Sequence, residues 1–254
     1  DGNKIDLRTL QTSKRERDDY LTYESNVEMV DKTPNADKFF KQVMPDEASR
    51  EYLRKVLGYS ITAETCERVF YIWYGHGSNG KSVIADLLRS VLQDKYTQCD
   101  KSIFMKTSNS NKGGPSPEII SLMGKYMAVY SEGETSDRIE MNLSGLKQIS
   151  GEDTIVARQL YAQPIEFKAL CKLHLLTNFT PGVNDEKAIV DRLRYIFMDS
   201  RFTLKPKKGE FEKDVDFVTR LKNVHLSEVF TWIAKGAHEF YKSNRTIAVP
   251  ESFQ

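Results

Sequence analysis

The chain has 254 residues, with 37 basic against 36 acidic, a formal net charge of +1, 39% hydrophobic residues and 29% charged. Those values exclude a disordered polar chain and a uniformly basic nucleic-acid coat, so any surface for nucleic acid has to be local. The length suits one large domain, or one with a smaller appendage, and no run approaches the ~20 apolar residues of a membrane helix.

Three cysteines, Cys66, Cys99 and Cys171, lie far apart and without zinc spacing. They read as buried or incidental thiols in a reducing, intracellular compartment. The chain opens without Met, carries no signal or transit pattern and stops in mid-pattern at Gln254. The expectation is an internal piece of a longer protein.

Residues 1 to about 35 are polar with little periodicity and predict an extended strap. From Ala36 to about Glu67 the pattern is helical. Phe39, Phe40, Val43 and Met44 share one face, and Tyr52, Leu53, Val56 and Leu57 share another. Pro45-Asp46 separates the two helices, and Gly58 is placed as the cap after the second. Val69 to Tyr74 is a short apolar run that predicts a buried strand. A glycine-rich segment follows at once, then a helix with Val83, Ile84, Leu87, Leu88, Val91 and Leu92 on one stripe.

A Ser/Asn/Gly/Pro-rich loop spans about 107 to 117. A short helix at Glu118 to Met123 leads to a second buried strand, Tyr126 to Tyr130, and a helix is predicted around Leu143 to Ile149. Two strand-like runs, Thr154 to Leu160 and Pro164 to Phe167, predict a hairpin. Buried strands follow at Leu173 to Thr177 and Arg194 to Met198, then a charged loop. A last helix carries Leu226, Val229, Phe230, Ile233, Ala237, Phe240 and Tyr241 on one face. Helices alternating with buried strands predict an α/β fold with a central, mostly parallel sheet, preceded by a small helical subdomain.

Gly75-His76-Gly77-Ser78-Asn79-Gly80-Lys81-Ser82 fits G-x-x-x-x-G-K-[ST] in full, between a strand and a helix. Gly75, Gly77 and Gly80 let the backbone close around a phosphate chain, with Ser78 and Asn79 in the same loop. Successive N–H groups and the helix N-terminus then face the anion. Lys81 brings a compact positive charge to it, and Ser82 offers a hydroxyl to Mg²⁺. The reading is a P-loop nucleoside triphosphatase using ATP and Mg²⁺.

The strand Tyr126–Tyr130 ends in Ser131-Glu132-Gly133-Glu134. An acid at the C-terminal edge of such a sheet holds the metal or orients water; Glu132 is the first candidate and Glu134 the second. Asn178, after the strand Leu173–Thr177, could bond the attacking water or the γ-phosphate, though Asn after a strand is also an ordinary turn residue. In Asp191-Arg192-Leu193-Arg194, an arginine could reach a neighbouring subunit's ATP; a surface ion pair is the plainer alternative.

Together GHGSNGKS, the SEGE strand end, LTN and DRLR, in this order and spacing, resemble the superfamily 3 helicases. Within these the likeness is to poxvirus-type primase-helicases of large DNA viruses and to phage and plasmid primase C-terminal regions. Asn3 to Leu7, Glu51 to Tyr59 and Ile149 to Tyr161 carry it over nearly the whole chain. The resemblance implies an AAA+ motor in a ring, usually a hexamer, around single-stranded or forked DNA, moving 3′ to 5′. It divides the chain into a strap and collar-like helices (1–67), a core (68–204) and a helical end (205–254). Lys81 and Ser82 carry over as the phosphate-loop pair, Glu132 as the metal-side acid and Asn178 as sensor. Arg192 carries over as arginine finger, with Arg194 the alternative. The hairpin before the sensor strand would grip DNA through Arg158, Gln159, Tyr161 and Lys168. Its tip reads Tyr161-Ala162-Gln163, where relatives often carry Lys or His. Repetition around a ring reconciles a near-neutral chain with DNA binding, because weak grips add up. Other replication proteins are possible partners. The rival readings are a P-loop small-molecule kinase, an ATP-dependent loading scaffold and an RNA helicase.

Overall fold

The computed structural model describes residues 2–21, 23–106, 115–132, 141–179 and 190–253. In chain order the elements are β1 (Asn3–Asp6), β2 (Gln11–Lys14), α1 (Pro34–Val43), α2 (Glu47–Ser60), β3 (Phe70–Tyr74) and α3 (Lys81–Leu92). Next come β4 (Tyr96–Gln98), α4 (Pro117–Ile120), β5 (Met127–Ser131), α5 (Leu143–Ser150), β6 (Thr154–Ala157), β7 (Ile165–Lys168) and β8 (Lys172–Thr177). The chain then forms β9 (Leu193–Phe197), β10 (Phe202–Thr203), β11 (Phe211–Glu212), α6 (Val215–Asn223) and α7 (Leu226–Lys242). These group into two compact units that interleave along the chain. One holds Asp1–Thr62, Ser78–Asp94 and Asp199–Gln254, the other Ala63–Gly77 and Lys95–Met198. Among the described residues no helix is long and apolar enough to cross a membrane.

The sheet lies wholly in the second unit. Its order is β4-β5-β8-β3-β9, and every neighbouring pair is parallel. The expectation of an α/β fold on a parallel sheet holds. Strands β3 and β8 are central, and Phe70, Ile72, Trp73, Leu173, Leu175 and Leu176 are all at most 2% exposed, as strands covered on both faces require. Two buried polar side chains of the central strands are paired. His174 takes a hydrogen bond from Trp73 Nε1 at 3.1 Å and stacks on Tyr71, and burial pushes its pKa down to about 3. Lys172, 2% exposed, donates to the carbonyls of Glu64 and Leu170. Sequence reading missed β4, a three-residue edge strand with one buried side chain.

The first unit packs α1, α2, α3 and α6 against α7. Pro34 starts α1 without losing a useful donor, and Asp46 caps α2 by accepting from Ser49 N–H at 2.8 Å. Phe40 of α1 stacks on Trp232 of α7 at 3.7 Å. Gly58 does not cap α2: the helix runs on to Ser60. A Cβ on Gly58 would stand 2.0 Å from Ala237 N, and one on Gly236 would stand 2.0 Å from Arg54 O. The two glycines let α2 and α7 touch backbone to backbone. Arg54, paired with Glu239 at 2.6 Å, lies beside that crossing.

Two other expectations change. The first residues are no plain strap: β1 and β2 form an antiparallel hairpin with Asn3 opposite Lys14 and Asp6 opposite Gln11. Its residues are exposed or half-buried, so no alternation marks it, and backbone pairing around the Asp6–Leu10 turn forms it. The charged loop before the last helix also contains the short parallel pair β10–β11 and helix α6. That helix buries only Phe217 and Leu221, too thin a stripe to read, although Asp214 caps it by accepting from Phe217 N–H at 2.7 Å.

Candidate functional site

Strand β3 ends at Tyr74, the glycine loop follows, and α3 begins at Lys81. The loop's shape is set residue by residue. Gly80 has φ +93°, a conformation that side chains disfavour, and a Cβ there would meet Val43 Cγ2 at 3.0 Å. Ser78 also has positive φ, +62°, and its carbonyl accepts from Phe202 N–H at 2.8 Å. Asn79 is 2% exposed, and its side-chain oxygen accepts from Lys81 N–H at 3.4 Å. Gly77 is different. A Cβ there would touch nothing within 4 Å, so no neighbour among the described residues demands glycine. What it keeps clear is open space at the loop.

The first N–H groups of α3 have no partner within the helix and sit at the positive end of its dipole. Lys81 opens this helix. It is 6% exposed, and burial pushes its pKa from 10.5 down to about 8. Ser82 is exposed.

The C-terminal edge of the sheet carries three of the predicted groups: the start of the glycine loop after β3, Asn178 after β8 and Glu132 after β5. Because β8 runs between β5 and β3, Asn178 lies between the loop and Glu132 along this edge. Two strand spacings put β5 roughly 10 Å from β3. The Glu132 N–H donates to Leu176 O at 2.8 Å, continuing the ladder past the strand end. Its Oε2 accepts from Thr177 Oγ1 at 2.7 Å. Its Oε1 is buried and has no hydrogen-bond partner among the described residues. A buried carboxylate oxygen without a donor is costly to leave so, which makes it a fitting place for a cation or a water. Asn178 is exposed. Glu134 lies outside the described residues.

Thr177 was not among the predicted site residues. Its hydroxyl also accepts from Phe179 N–H at 3.0 Å, so it fixes Glu132 and the turn after β8 together. The signal was present in Leu176-Thr177-Asn178: a hydroxyl as the last residue of an otherwise apolar strand.

Arg192 occupies the opposite edge. Its carbonyl accepts from Phe70 N–H at the start of β3, and Phe70 to Tyr74 spans roughly 13 Å. An arginine side chain reaches roughly 7 Å, so Arg192 does not reach the glycine end of its own sheet. Its guanidinium donates to Lys147 O at 2.8 Å and approaches Ser150 Oγ at 3.5 Å, closing the C-terminal end of α5. Arg194 turns back onto the carbonyls of Asp191 and Leu193, both at 2.9 Å.

The predicted hairpin is present as β6–β7, antiparallel, with Thr154 opposite Lys168 and Ala157 opposite Ile165. Arg158, Gln159 and Tyr161 belong to its tip. Tyr161 is 98% exposed with φ +61°, beside Leu160 at 62% exposed. Lys168 is at the base instead, so the four predicted contacts fall at two ends of the hairpin.

Residues 73–192 match a family model described as "Family of unknown function (DUF5906)". A protein of Acanthamoeba polyphaga mimivirus named "Putative helicase L207/L206" is 34% identical over 169 residues, covering 66% of this chain and 17% of that protein. The chain is similar to proteins of large DNA viruses that are named putative helicase or primase. The relative named "Primase D5" from fowlpox virus is 25% identical over 209 residues, 78% of this chain and 25% of its own length. "Putative helicase 022R" of Frog virus 3 is 28% identical over 193 residues, 72% of this chain and 20% of that one. The chain thus spans roughly a fifth of the length of these relatives. Among solved structures, "The A form apo structure of NrS-1 C terminal region-CTR" aligns with TM-score 0.62 at 14% identity, over 88% of this chain and 54% of that one. That likeness is one of fold.

Proposed function

We propose that this chain is the ATP-driven motor module of a replicative DNA helicase, with an AAA+ core of the superfamily 3 type and ATP and Mg²⁺ as cofactors. The observation that carries the reading is the unbroken passage from β3 through Gly75–Gly80 into α3, with Lys81 buried at the helix start. The kinship with viral proteins named helicase and primase supports the nucleic-acid side of it.

In this reading the loop N–H groups and the α3 N-terminus bind the triphosphate, and the clearance at Gly77 lets backbone approach it closely. Lys81 in its charged form neutralises the β- and γ-phosphates. Ser82 would offer its hydroxyl and Glu132 its carboxylate to a magnesium ion, which would supply charge neutralisation for the transferring phosphoryl. Glu132, steadied through Oε2 by Thr177, presents Oε1 to orient the attacking water, and Asn178 hydrogen-bonds the same region from the next strand. Arg192, on the far edge of its own sheet, completes the site of a neighbouring copy. That requires a heterologous, ring-closing assembly, for which a hexamer is the family's usual size. The β6–β7 tip contacts one DNA strand in the ring channel, and the resemblance gives 3′ to 5′ movement. A reducing intracellular compartment goes with this reading, as the wide spacing of the three cysteines in the sequence suggests.

The test is ATP turnover at several protein concentrations, alone, with single-stranded DNA and with RNA, for the chain and for Lys81→Ala. The expected result is turnover that rises more than linearly with protein, that DNA stimulates beyond RNA, and that Lys81→Ala abolishes. Wild-type turnover in Lys81→Ala refutes the ATPase reading. Linear turnover indifferent to DNA favours an enzyme acting in cis on a small molecule.

A further inference from the structure

At the tip of the N-terminal hairpin, the Arg8 carbonyl lies 2.6 Å from His238 Nδ1, 230 residues away in sequence. The Arg8 guanidinium sits over the Tyr241 ring, 5.2 Å from its centroid. These contacts seat the hairpin tip on the end of α7, where a basin of about 600 Å³ is lined by Arg8, Tyr241, Lys242, Asn244 and Arg245. Past the helix end, Asn244 and Arg245 both take positive φ, 55° and 60°, and Arg245 N–H returns to Phe240 O at 3.1 Å. The chain therefore folds back over the last turn and brings Arg245 to the same basin as Lys242.

Three of the five lining residues are cations and none is a carboxylate, in a chain whose net charge is only +1. A helix C-terminus carries about half a negative charge, and one basic side chain complements it. Three basic side chains line this one basin. Arg8, Lys242 and Arg245 are all exposed. Their chemistry selects phosphate: guanidinium forks pair with two oxygens, the ammonium acts as a point charge, and the Asn244 amide and Tyr241 hydroxyl add neutral donors. A cavity of this size exceeds what one inorganic phosphate fills, and its exposed rim suits a chain of phosphates passing over it.

We propose that this basin is a second contact for a single nucleic-acid strand, seating backbone phosphates at a place separate in sequence from the β6–β7 tip. The choice of ligand rests on the nucleic-acid partner in the proposed function; the existence of an anion site does not.

The experiment is fluorescence anisotropy of a labelled single-stranded DNA, without nucleotide, over a salt series. It compares the chain, a Lys242→Ala/Arg245→Ala variant and an Arg158→Ala/Tyr161→Ala variant. The basin variant is expected to bind the strand about tenfold more weakly and to lower the salt slope by roughly 1.4 for two phosphates lost. Its thermal melting and its affinity for a fluorescent ATP analogue should stay unchanged. If the chain binds DNA and the basin variant binds it equally well with the same slope, the basin is not a strand contact, and the helicase reading is untouched. If the basin variant instead loses the ATP analogue, the basin takes a nucleotide and the strand assignment is overturned. If the unaltered chain binds no strand at all, both the basin proposal and the nucleic-acid part of the function fail.

Discussion

An arginine finger acting between copies makes a quantitative prediction about mixtures. Arg192→Ala removes a charge-assisted hydrogen bond of 2.8 Å to Lys147 O, which costs about 1.5–3 kcal/mol of stability. A loss of activity in that variant alone would therefore confound a finger with the closing of α5. Mixing resolves this. Arg192→Ala retains an intact phosphate loop, and Lys81→Ala retains an intact arginine, so each alone should turn over ATP at about 10⁻³ of wild type or less. In an equimolar, fully exchanged mixture, half the phosphate loops and half the arginines are intact. Random placement at heterologous interfaces then joins the two intact partners at about a quarter of the sites. Turnover should recover to about a quarter of wild type, measured by phosphate release at concentrations where assembly is complete. A mixture as inactive as its components, with both variants folded by circular dichroism, refutes action in trans. Because Arg192 lies a full strand length from the glycine end of its own sheet, that result would also remove it from the chemistry.

Four further outcomes follow from individual residues. Lys81 in the free protein loses its proton as pH rises through about 8, and an anionic ligand needs that proton back. ATP-analogue affinity should be flat from pH 6 to about 7.5, then fall towards about tenfold per pH unit; Lys81→Arg should remove the fall, and a flat wild-type profile contradicts the burial of Lys81. Gly80→Ala forces a side chain onto φ +93° and should cost about 1–2 kcal/mol and weaken ATP binding; Val43→Ala should not restore it, because the backbone conformation remains. Gly58→Ala should destabilise the protein by about 3 kcal/mol in urea denaturation, despite alanine's better helix propensity; a neutral result would mean α2 and α7 are not held at backbone contact. Arg158→Ala with Tyr161→Ala should abolish DNA stimulation of turnover without shifting the melting temperature, since Tyr161 is 98% exposed; retained stimulation would move the strand contact off this tip.

What sequence could disclose here depended on how strongly each segment's pattern was dictated by burial. Strands β3 and β8 are covered on both faces, so Phe70–Trp73 shows as an unbroken apolar run and Leu173–Leu176 as one interrupted only by the buried His174. The stripe of α7 was readable because Val229, Ile233, Ala237 and Phe240 are all buried, although the reading left out Trp232, which is buried with them. The N-terminal hairpin, β4, the β10–β11 pair and α6 bury too little to leave a period, and backbone pairing or a single cap decides them. Gly58 illustrates an ambiguity that pattern cannot resolve. Glycine near a helix end is a cap in one context and a close-packing site in another, and only Gly236, 178 positions later in the chain, decides it. The glycine loop, Glu132 and Asn178 were legible as residues at strand ends. Thr177's grip on Glu132, Arg192's closure of α5 and the basin of Arg8, Lys242 and Arg245 were not, because each joins groups distant in sequence.

The two edges of the sheet carry different tasks in the proposed motor, and the connection between them is physical. Glu132, Asn178 and the glycine loop follow the C-terminal ends of β5, β8 and β3. At the other edge Arg192 is bonded to the last turn of α5, whose next residues, Gly151 to Asp153, lead straight into β6. Glu152 in that turn is held by Thr65 Oγ1 at 2.9 Å and by Arg68 at 2.8 Å, in the segment that precedes β3. The base of the hairpin is thus tied both to the arginine assigned to a neighbour's ATP and to the strand that carries this copy's own glycine loop. An arginine drawn to a neighbour's phosphate gives up the Lys147 carbonyl, and the end of α5 loses the contact that closes it, a few residues before β6. In the proposed ring, hydrolysis at one copy would then be felt at the tip proposed to contact the strand in the next, through a short run of named hydrogen bonds.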